Sequence, residues 1–173
     1  MTENKALSEQ FTGLILLTGT DKPGVAASLF ETLAPFAVHV IDIEQIVINN
    51  RLILTVLIGA NPAHQSAIEE DLNACASVLE VDIATLFAQS VVPAMPRELI
   101  DVSISSAKLH PRSLSLVTRL IDDNGANIEG FVRTSENPVS VVITISGASK
   151  SDIESAMSSL VFEDPTTFSV REH

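Results

Sequence analysis

The feature that most constrains the fold of this chain is an internal repeat. Pro23 lies 88 residues before Pro111 (111 − 23), and Asn49 lies the same distance before Asn137 (137 − 49). The order of apolar patterns around these positions is the same in both halves. Such a repeat indicates two copies of one structural unit, produced by an internal duplication. At 173 residues the chain has room for two small domains.

Each copy is predicted to have the order strand, helix, strand, strand, helix, strand. The strands are marked by apolar or alternating runs, and the helices by apolar residues at a spacing of three and four. Asn49-Asn50 is typical of a hairpin because Asn tolerates positive φ, and Gly125 is expected to end a helix in the left-handed conformation. The predicted helices cover 25–36, 65–79, 114–121 and 153–161, and the predicted strands cover 14–17, 38–48, 52–59, 81–91, 100–105, 128–134, 139–146 and 166–171.

Pro93-Ala94-Met95-Pro96 predicts a linker, because proline suits neither a helix interior nor a central strand. The predicted domains are therefore 12–92 and 98–173, with a linker at 93–97. The order of elements in each is that of an α+β, ferredoxin-like βαββαβ domain, in which two helices cover one face of a four-stranded antiparallel sheet.

The third strand is apolar on both faces. Leu54 and Val56 point to one side, whereas Ile53 and Leu57 point to the other. A sheet face turned to water would be polar. We therefore expect the other copy or another chain to cover this face, and a homodimer or higher oligomer is predicted.

Composition excludes several classes of partner. A net charge of −12, with no Trp or Tyr, argues against nucleic acid and anionic membrane surfaces. The first ten residues are polar and no later apolar run reaches transmembrane length, so a cytoplasmic protein is expected. Cys75 is the only cysteine and shares a face with Ile68 and Leu72, which indicates a buried core thiol.

The turn Asp21-Lys22-Pro23-Gly24 joins the first strand to the first helix. Pro23 suits the first helical turn, and Gly24 would let the backbone approach a ligand closely. The N–H groups at the start of the helix favour a carboxylate, and Asp21 could accept an ammonium group. These features predict a site for an amino acid. The same residues also fit an ordinary turn in which Asp21 caps the helix.

Three further residues are considered for the same site. Asp42 and Glu44 share one face of the second strand and could line a polar pocket beside the Asp21 turn, although exposed strand residues show the same pattern.

The second copy has Leu109 and Arg112 where the first has Asp21 and Gly24, so a second equivalent site is not predicted. Asn127 could instead complete a pocket opened by the first copy.

No catalytic constellation is found in the sequence. It contains no Gly-x-Ser-x-Gly, no Gly-rich nucleotide loop and no Asp-x-Asp phosphotransfer motif, and its four histidines are scattered. We expect this chain to have no enzymatic activity, no metal and no cofactor of its own.

Two βαββαβ units, the first carrying Asp21-Lys22-Pro23-Gly24-Val25 and then Val40-Ile41-Asp42-Ile43-Glu44-Gln45, resemble a tandem of ACT domains. More narrowly, 18–57 resembles the N-terminal regulatory part of actinobacterial-type phosphoserine phosphatases. In that family a haloacid-dehalogenase domain follows, with Mg²⁺ and an aspartyl nucleophile. This sequence stops at His173 before any such motif, so the resemblance implies Mg²⁺ only for a domain absent from it.

The resemblance implies regulation by free L-serine, which the tandem would bind and report to the phosphatase. The binding turn of that family corresponds here to Asp21, Gly24, Val25 and Ala26, with Asn127 expected at the interface. Two alternatives stay open: a stand-alone regulator similar to the glycine cleavage system repressor, and an oligomerisation module that binds no ligand. The sequence fits a fragment and a complete chain equally.

Overall fold

A computed structural model of the chain describes residues 9–91 and 98–173, in two compact units. The predicted linker at 93–97 lies outside the described residues. None of the helices in the described ranges is long and apolar enough to span a membrane.

The first unit has the predicted order of elements. It consists of β1 (Glu9–Thr20), α1 (Val25–Leu33), β2 (His39–Ile48), β3 (Arg51–Gly59), a short 3₁₀ turn (Pro62–His64), α2 (Gln65–Leu79) and β4 (Asp82–Val91). The strands form an antiparallel sheet in the order β2-β3-β1-β4. Asn49 and Asn50 turn the β2–β3 hairpin with φ values of 48° and 61°, which confirms the hairpin prediction.

The second unit repeats this arrangement. It consists of β5 (Leu99–Ser106), α3 (Pro111–Asp123), β6 (Asn127–Glu136), β7 (Val139–Ser146), α4 (Lys150–Ser158) and β8 (Thr166–Glu172), with the sheet order β6-β7-β5-β8. Gly125 follows α3 with a φ of 72°, as predicted. The prediction for the last helix was too long, because α4 ends at Ser158 and Val161 beyond it is 85% exposed. The α+β prediction of two ferredoxin-like domains is confirmed.

Each unit has a hydrophobic core between its sheet and its two helices. In the first unit, Ile15 and Leu54 of the sheet pack with Leu29 of α1 and Leu72 of α2. In the second unit, alternate residues of β5 and β7 pack with α3 and α4. Cys75 is buried, as predicted, and its thiol lies 3.9 Å from the carbonyl oxygen of Ser28.

The sheet faces that point away from the helices, which we call the open faces, differ between the units. In the first unit the two neighbouring strands β1 and β4 place large apolar side chains on the open face, of which Leu14 and Leu86 are 42% and 67% exposed. In the second unit the same face carries Asp101, Ser103 and Thr144, which are half-buried. The polar face expected of a sheet covered on one side is therefore found only in the second copy.

Strand β2 is an edge strand, and all ten of its residues are exposed. Six of them are Val or Ile with exposed fractions between 39% and 59%. Edge strands in natural proteins usually carry charges or proline that block further pairing. The carboxylates of β2, Asp42 and Glu44, both point to the open face, and the opposite face of β2 carries Ile43 and Val47 with the uncharged Gln45 between them.

Candidate functional site

The turn between β1 and α1 is fixed by its backbone. Asp21 N donates a hydrogen bond of 3.0 Å to Asn50 O, which ties the turn to the β2–β3 hairpin. Gly24 is the N-cap residue of α1, with φ 90° and ψ −9°. Pro23 therefore precedes the N-cap, and the prediction that it lies in the first helical turn is wrong.

The N-terminus of α1 has no side-chain cap. The first hydrogen bond of the helix joins Ser28 N to Gly24 O at 2.9 Å. The N–H groups of Val25 and Ala26 come before it in the chain, so they have no acceptor within the helix. The interpretation in which Asp21 merely caps the helix is not what the structure shows, because Gly24 occupies that position. The positive end of the helix dipole is left available at this turn.

The surface above this turn is open. A Cβ atom built on Gly24 would meet no heavy atom within 4 Å. Asp21 is exposed, and beside it Lys22 Nζ lies 3.6 Å from Glu80 Oε2 in a surface ion pair. An anion at the helix N-terminus and a cation at Asp21 are both sterically possible.

Asp42 lies at the far end of the same sheet. It pairs with Leu57, whereas the Asp21 turn lies beside the Ile48–Arg51 pair. Six residues of strand separate Asp42 from Ile48, which corresponds to about 20 Å. Its carboxylate accepts a hydrogen bond of 2.8 Å from Ile43 N and lines a cavity of about 70 Å³ on the open face. The expectation that Asp42 lines a pocket beside the Asp21 turn is therefore wrong within one unit, because Asp42 and the turn lie near opposite ends of the strands.

The corresponding turn of the second unit is closed by its own side chains. Leu109 packs against the core, His110 Nε2 lies 3.4 Å from Asp164, and Arg112 lies 3.0 Å from Glu163. Both basic groups that could contact an anion thus already face carboxylates of this chain. The difference between the copies at this turn agrees with the substitutions seen in the sequence.

Asn127 begins β6, at the other end of its sheet from the α3 N-terminus. Its side-chain amide donates a hydrogen bond of 3.0 Å to Glu129 Oε1. It also lines a cavity of about 800 Å³ formed by the α3–β6 loop, the β7–α4 loop and the residue preceding β5. Sequence reasoning missed this cavity, because its walls come from three separate stretches of the chain.

Sequence reasoning also missed a polar cluster on the open face of the second unit. Thr144 Oγ1 donates a hydrogen bond of 2.7 Å to Asp101 Oδ1, and His173 Nδ1 lies 3.0 Å from the same carboxylate. Burial works to raise the pKa of Asp101, but the contacts of Thr144 and His173 outweigh it and lower that pKa. Among residues 9–91 and 98–173, no three His, Cys, Asp or Glu side chains are grouped so that they could hold a metal ion.

The sequence profile of the ACT domain family matches residues 12–85. A phosphoserine phosphatase from Streptomyces coelicolor is 29% identical over 153 residues, which cover 84% of this chain and 36% of that protein. Phosphoserine phosphatase SerB2 of Mycobacterium tuberculosis is 30% identical over 128 residues, which cover 73% of this chain and 31% of that protein. The chain thus spans about a third of the length of these relatives.

Two solved structures share the fold over almost the whole chain. One is an unknown protein from Galdieria sulphuraria, with a TM-score of 0.73, 15% identity and coverage of 96% of this chain and 99% of that one. The other is a candidate glycine cleavage system transcriptional repressor, with a TM-score of 0.72, 12% identity and coverage of 96% and 100%. At these identities the likeness concerns the fold.

Proposed function

We propose that this chain, which has an ACT domain at residues 12–85 and a second unit of the same fold, is the amino-acid-binding regulatory region of a phosphoserine phosphatase. The similarity to two phosphoserine phosphatases over most of its length supports this assignment. The amino acid proposed is L-serine. L-serine is what such an enzyme releases when it hydrolyses phosphoserine, so the site would sense the product of the phosphatase.

The single observation that carries the proposal is the uncapped N-terminus of α1, held by Gly24 in the left-handed conformation. Free N–H groups and the helix dipole stabilise a carboxylate there. Asp21 is exposed beside them and supplies the opposite charge for an ammonium group. The two charges of a free amino acid thus have complementary partners within one turn.

The site is proposed to be completed by a neighbouring unit, because the turn alone forms an open surface. The exposed apolar edge strand β2 is the surface that would join two copies of the chain. Its hairpin end lies beside the Asp21 turn, through the bond from Asp21 N to Asn50 O. Association of copies would therefore place a second chain near the ligand. A cytoplasmic location belongs to the same proposal.

Calorimetric titration with L-serine tests the site. Asp21→Ala should weaken serine binding by about 1.5–3 kcal/mol, the range for a hydrogen bond to a charged group. The matched control is Asp71→Ala, which removes an exposed carboxylate from α2 and should leave the affinity unchanged. Equal affinity of the wild type and Asp21→Ala would show that the turn is not the site.

Ligand series separate the remaining alternatives. Glycine and L-alanine keep both charges of serine but lack its hydroxyl, so weaker binding of both indicates recognition of serine itself. If no amino acid binds the wild type, the sensing proposal fails, and the oligomerisation module and the stand-alone regulator are the interpretations left.

A further inference from the structure

The open face of the first unit carries a row of three leucines across three neighbouring strands. Leu14 of β1 pairs with Leu57 of β3 on one side and with Leu86 of β4 on the other. We call these three residues the leucine row. Leu16 and Ile53 lie on the same face, because residues an even number apart along a strand point to the same side.

The centre of this face is uncharged. Around the leucine row, the open-face residues of β1, β3 and β4 are Leu, Ile, Ala or Thr. Leu14, Leu16 and Leu86 are 42%, 36% and 67% exposed. Asp42 and Glu44 point to the same face but lie at its margin, on the edge strand β2. A partner that covers the centre of the face would therefore meet apolar side chains.

The second unit carries polar residues in the same row. Asp101 takes the place of Leu14, since each lies two residues along its strand from the residue that pairs with the last residue of β7 or β3. Asp101 pairs with Thr144 of β7 and with Arg171 of β8. The same fold thus accepts a polar row, and the packing of the sheet against its helices does not require leucines there.

An uncharged, flat face is buried most favourably by another face of the same kind. A partner face with a carboxylate or a guanidinium at its centre would lose the hydration of that charge against leucine and gain no ion pair. The first unit of a second copy presents the leucine row itself, so stacking two copies buries apolar surface on both sides. Stacked sheets pack about 10 Å apart with interdigitating side chains.

The face is large enough for a stable contact. Four strands spaced about 4.8 Å apart, with nine residues that rise about 3.4 Å each, give a face of about 19 Å by 30 Å. Two stacked copies would therefore bury about 1,100 Å² in total. A specific interface needs about 1,000 Å².

We propose that the open face of the first unit is an interface between two copies of this chain, stacked so that their leucine rows face each other. This contact is separate from pairing through β2, which uses the edge of the sheet, so the stack can join two dimers formed through β2. Asp21 and Gly24 take no part in it. Failure of serine binding would therefore leave this inference standing, and the reverse also holds.

Light scattering on the full chain tests the stack. Leu86→Glu places a carboxylate in the leucine row and should halve the mass of the assembly, because an unpaired buried charge opposes stacking. The matched control Thr167→Glu places the same group on the open face of β8 and should leave the mass unchanged. Leu86 is an exposed residue of the single chain, so the variant should fold, which an unchanged circular dichroism spectrum verifies. Equal masses of the wild type and Leu86→Glu would overturn the proposal.

Labelling of introduced cysteines with a maleimide identifies what covers the face. Leu86→Cys should react about tenfold more slowly at concentrations where copies associate than at dilutions where they separate. Thr167→Cys should react at one rate throughout, and the buried Cys75 of the wild type gives the background rate. Slow labelling of Leu86→Cys at every concentration would mean that another segment of the same chain covers the leucine row. Fast labelling at every concentration would mean that nothing covers it, and either result would overturn the proposal.

Discussion

Gly24 shows how one residue can determine both a turn and a site. A φ of 90° is a conformation that residues with a Cβ atom avoid, so glycine is required by the backbone before any ligand is considered. From the sequence alone, a close approach of the backbone to a ligand is the expected reason for Gly24. The structure adds a conformational reason, because the space around its Cα is open within 4 Å.

Replacing Gly24 by Ala should therefore lower stability as well as affinity. We expect a loss of about 1–2 kcal/mol in the free energy of unfolding of the chain, the cost of holding an L residue in a left-handed conformation. Gly24→Asn should lose less, because Asn is the better tolerated there. Urea unfolding of the three proteins measures this. A loss as large for Asn as for Ala would mean that the backbone conformation is not the cause.

Asp101 provides a second test at the residue scale. Burial opposes its charge, but hydrogen bonds from Thr144 and His173 and the charge of His173 lower its pKa below the ordinary value. A carboxyl group with a lower pKa in the folded state stabilises the protein above its unfolded pKa. That contribution disappears as pH falls through the folded pKa.

We therefore expect wild type to be more stable than Asp101→Asn at neutral pH, and this difference to shrink below about pH 4. Urea unfolding at a series of pH values measures it. Asp71→Asn, at an exposed position on α2, is the control and should show a much smaller difference. A difference between wild type and Asp101→Asn that persists unchanged to low pH would contradict the lowered pKa.

At the scale of elements, the corresponding edge strands β2 and β6 differ in their exposed surface. Strand β2 exposes six Val and Ile side chains, whereas on β6 the large exposed apolar side chains are Phe131 and Val132. An edge strand without lysine or proline is suited to pairing with another strand. We therefore propose that the first copy, and not the second, provides the surface through which copies of the chain associate.

Ile46→Lys on β2 should weaken self-association of the chain by about tenfold or more, because a lysine on an edge strand blocks pairing. Val132→Lys places the same charge on the exposed edge of β6 and should leave association unchanged. Light scattering and sedimentation over a range of concentrations compare the two. Equal association of both variants, or a wild type that stays at 18.5 kDa at high concentration, would contradict an interface through β2.

At the scale of the whole molecule, the two copies of the repeat share one fold but differ in the side chains at corresponding positions. The turn that is open at Asp21 is closed by Leu109 and two ion pairs in the second unit. His39 of the first unit is hydrogen-bonded to Gln10, whereas Asn127 of the second unit is hydrogen-bonded to Glu129. The net charge of −12 adds a general repulsion between copies, so salt should favour their association.

The chain by itself should not hydrolyse phosphoserine. Phosphoryl transfer needs a nucleophile and carboxylates that bind a metal, and the sequence has no Asp-x-Asp motif to supply them. Purified chain incubated with phosphoserine and Mg²⁺ is assayed for phosphate, with Asp21→Ala as the control for copurifying activity. Metal-dependent release of phosphate that follows the chain through purification would refute this prediction.

The sequence by itself determined the elements, the repeat and the fold class. Helices and strands follow from apolar periodicity, and the turns at Asn49 and Gly125 follow from the φ values that these residues tolerate. Apolar periodicity and the φ values that a residue tolerates are local properties of the chain, so the sequence alone predicts them. The helix beyond Asp21 could be predicted for the same reason, whereas only the structure decided that no side chain caps it.

Only the tertiary structure decided which candidate residues lie together. Asp42 was placed about 20 Å from the Asp21 turn because β2 runs the length of the sheet, a separation that depends on strand pairing. The Asp101 cluster and the second-unit cavity join residues that are far apart in sequence. Antiparallel register and loop packing are properties of pairs of elements, and periodicity within one element does not specify them.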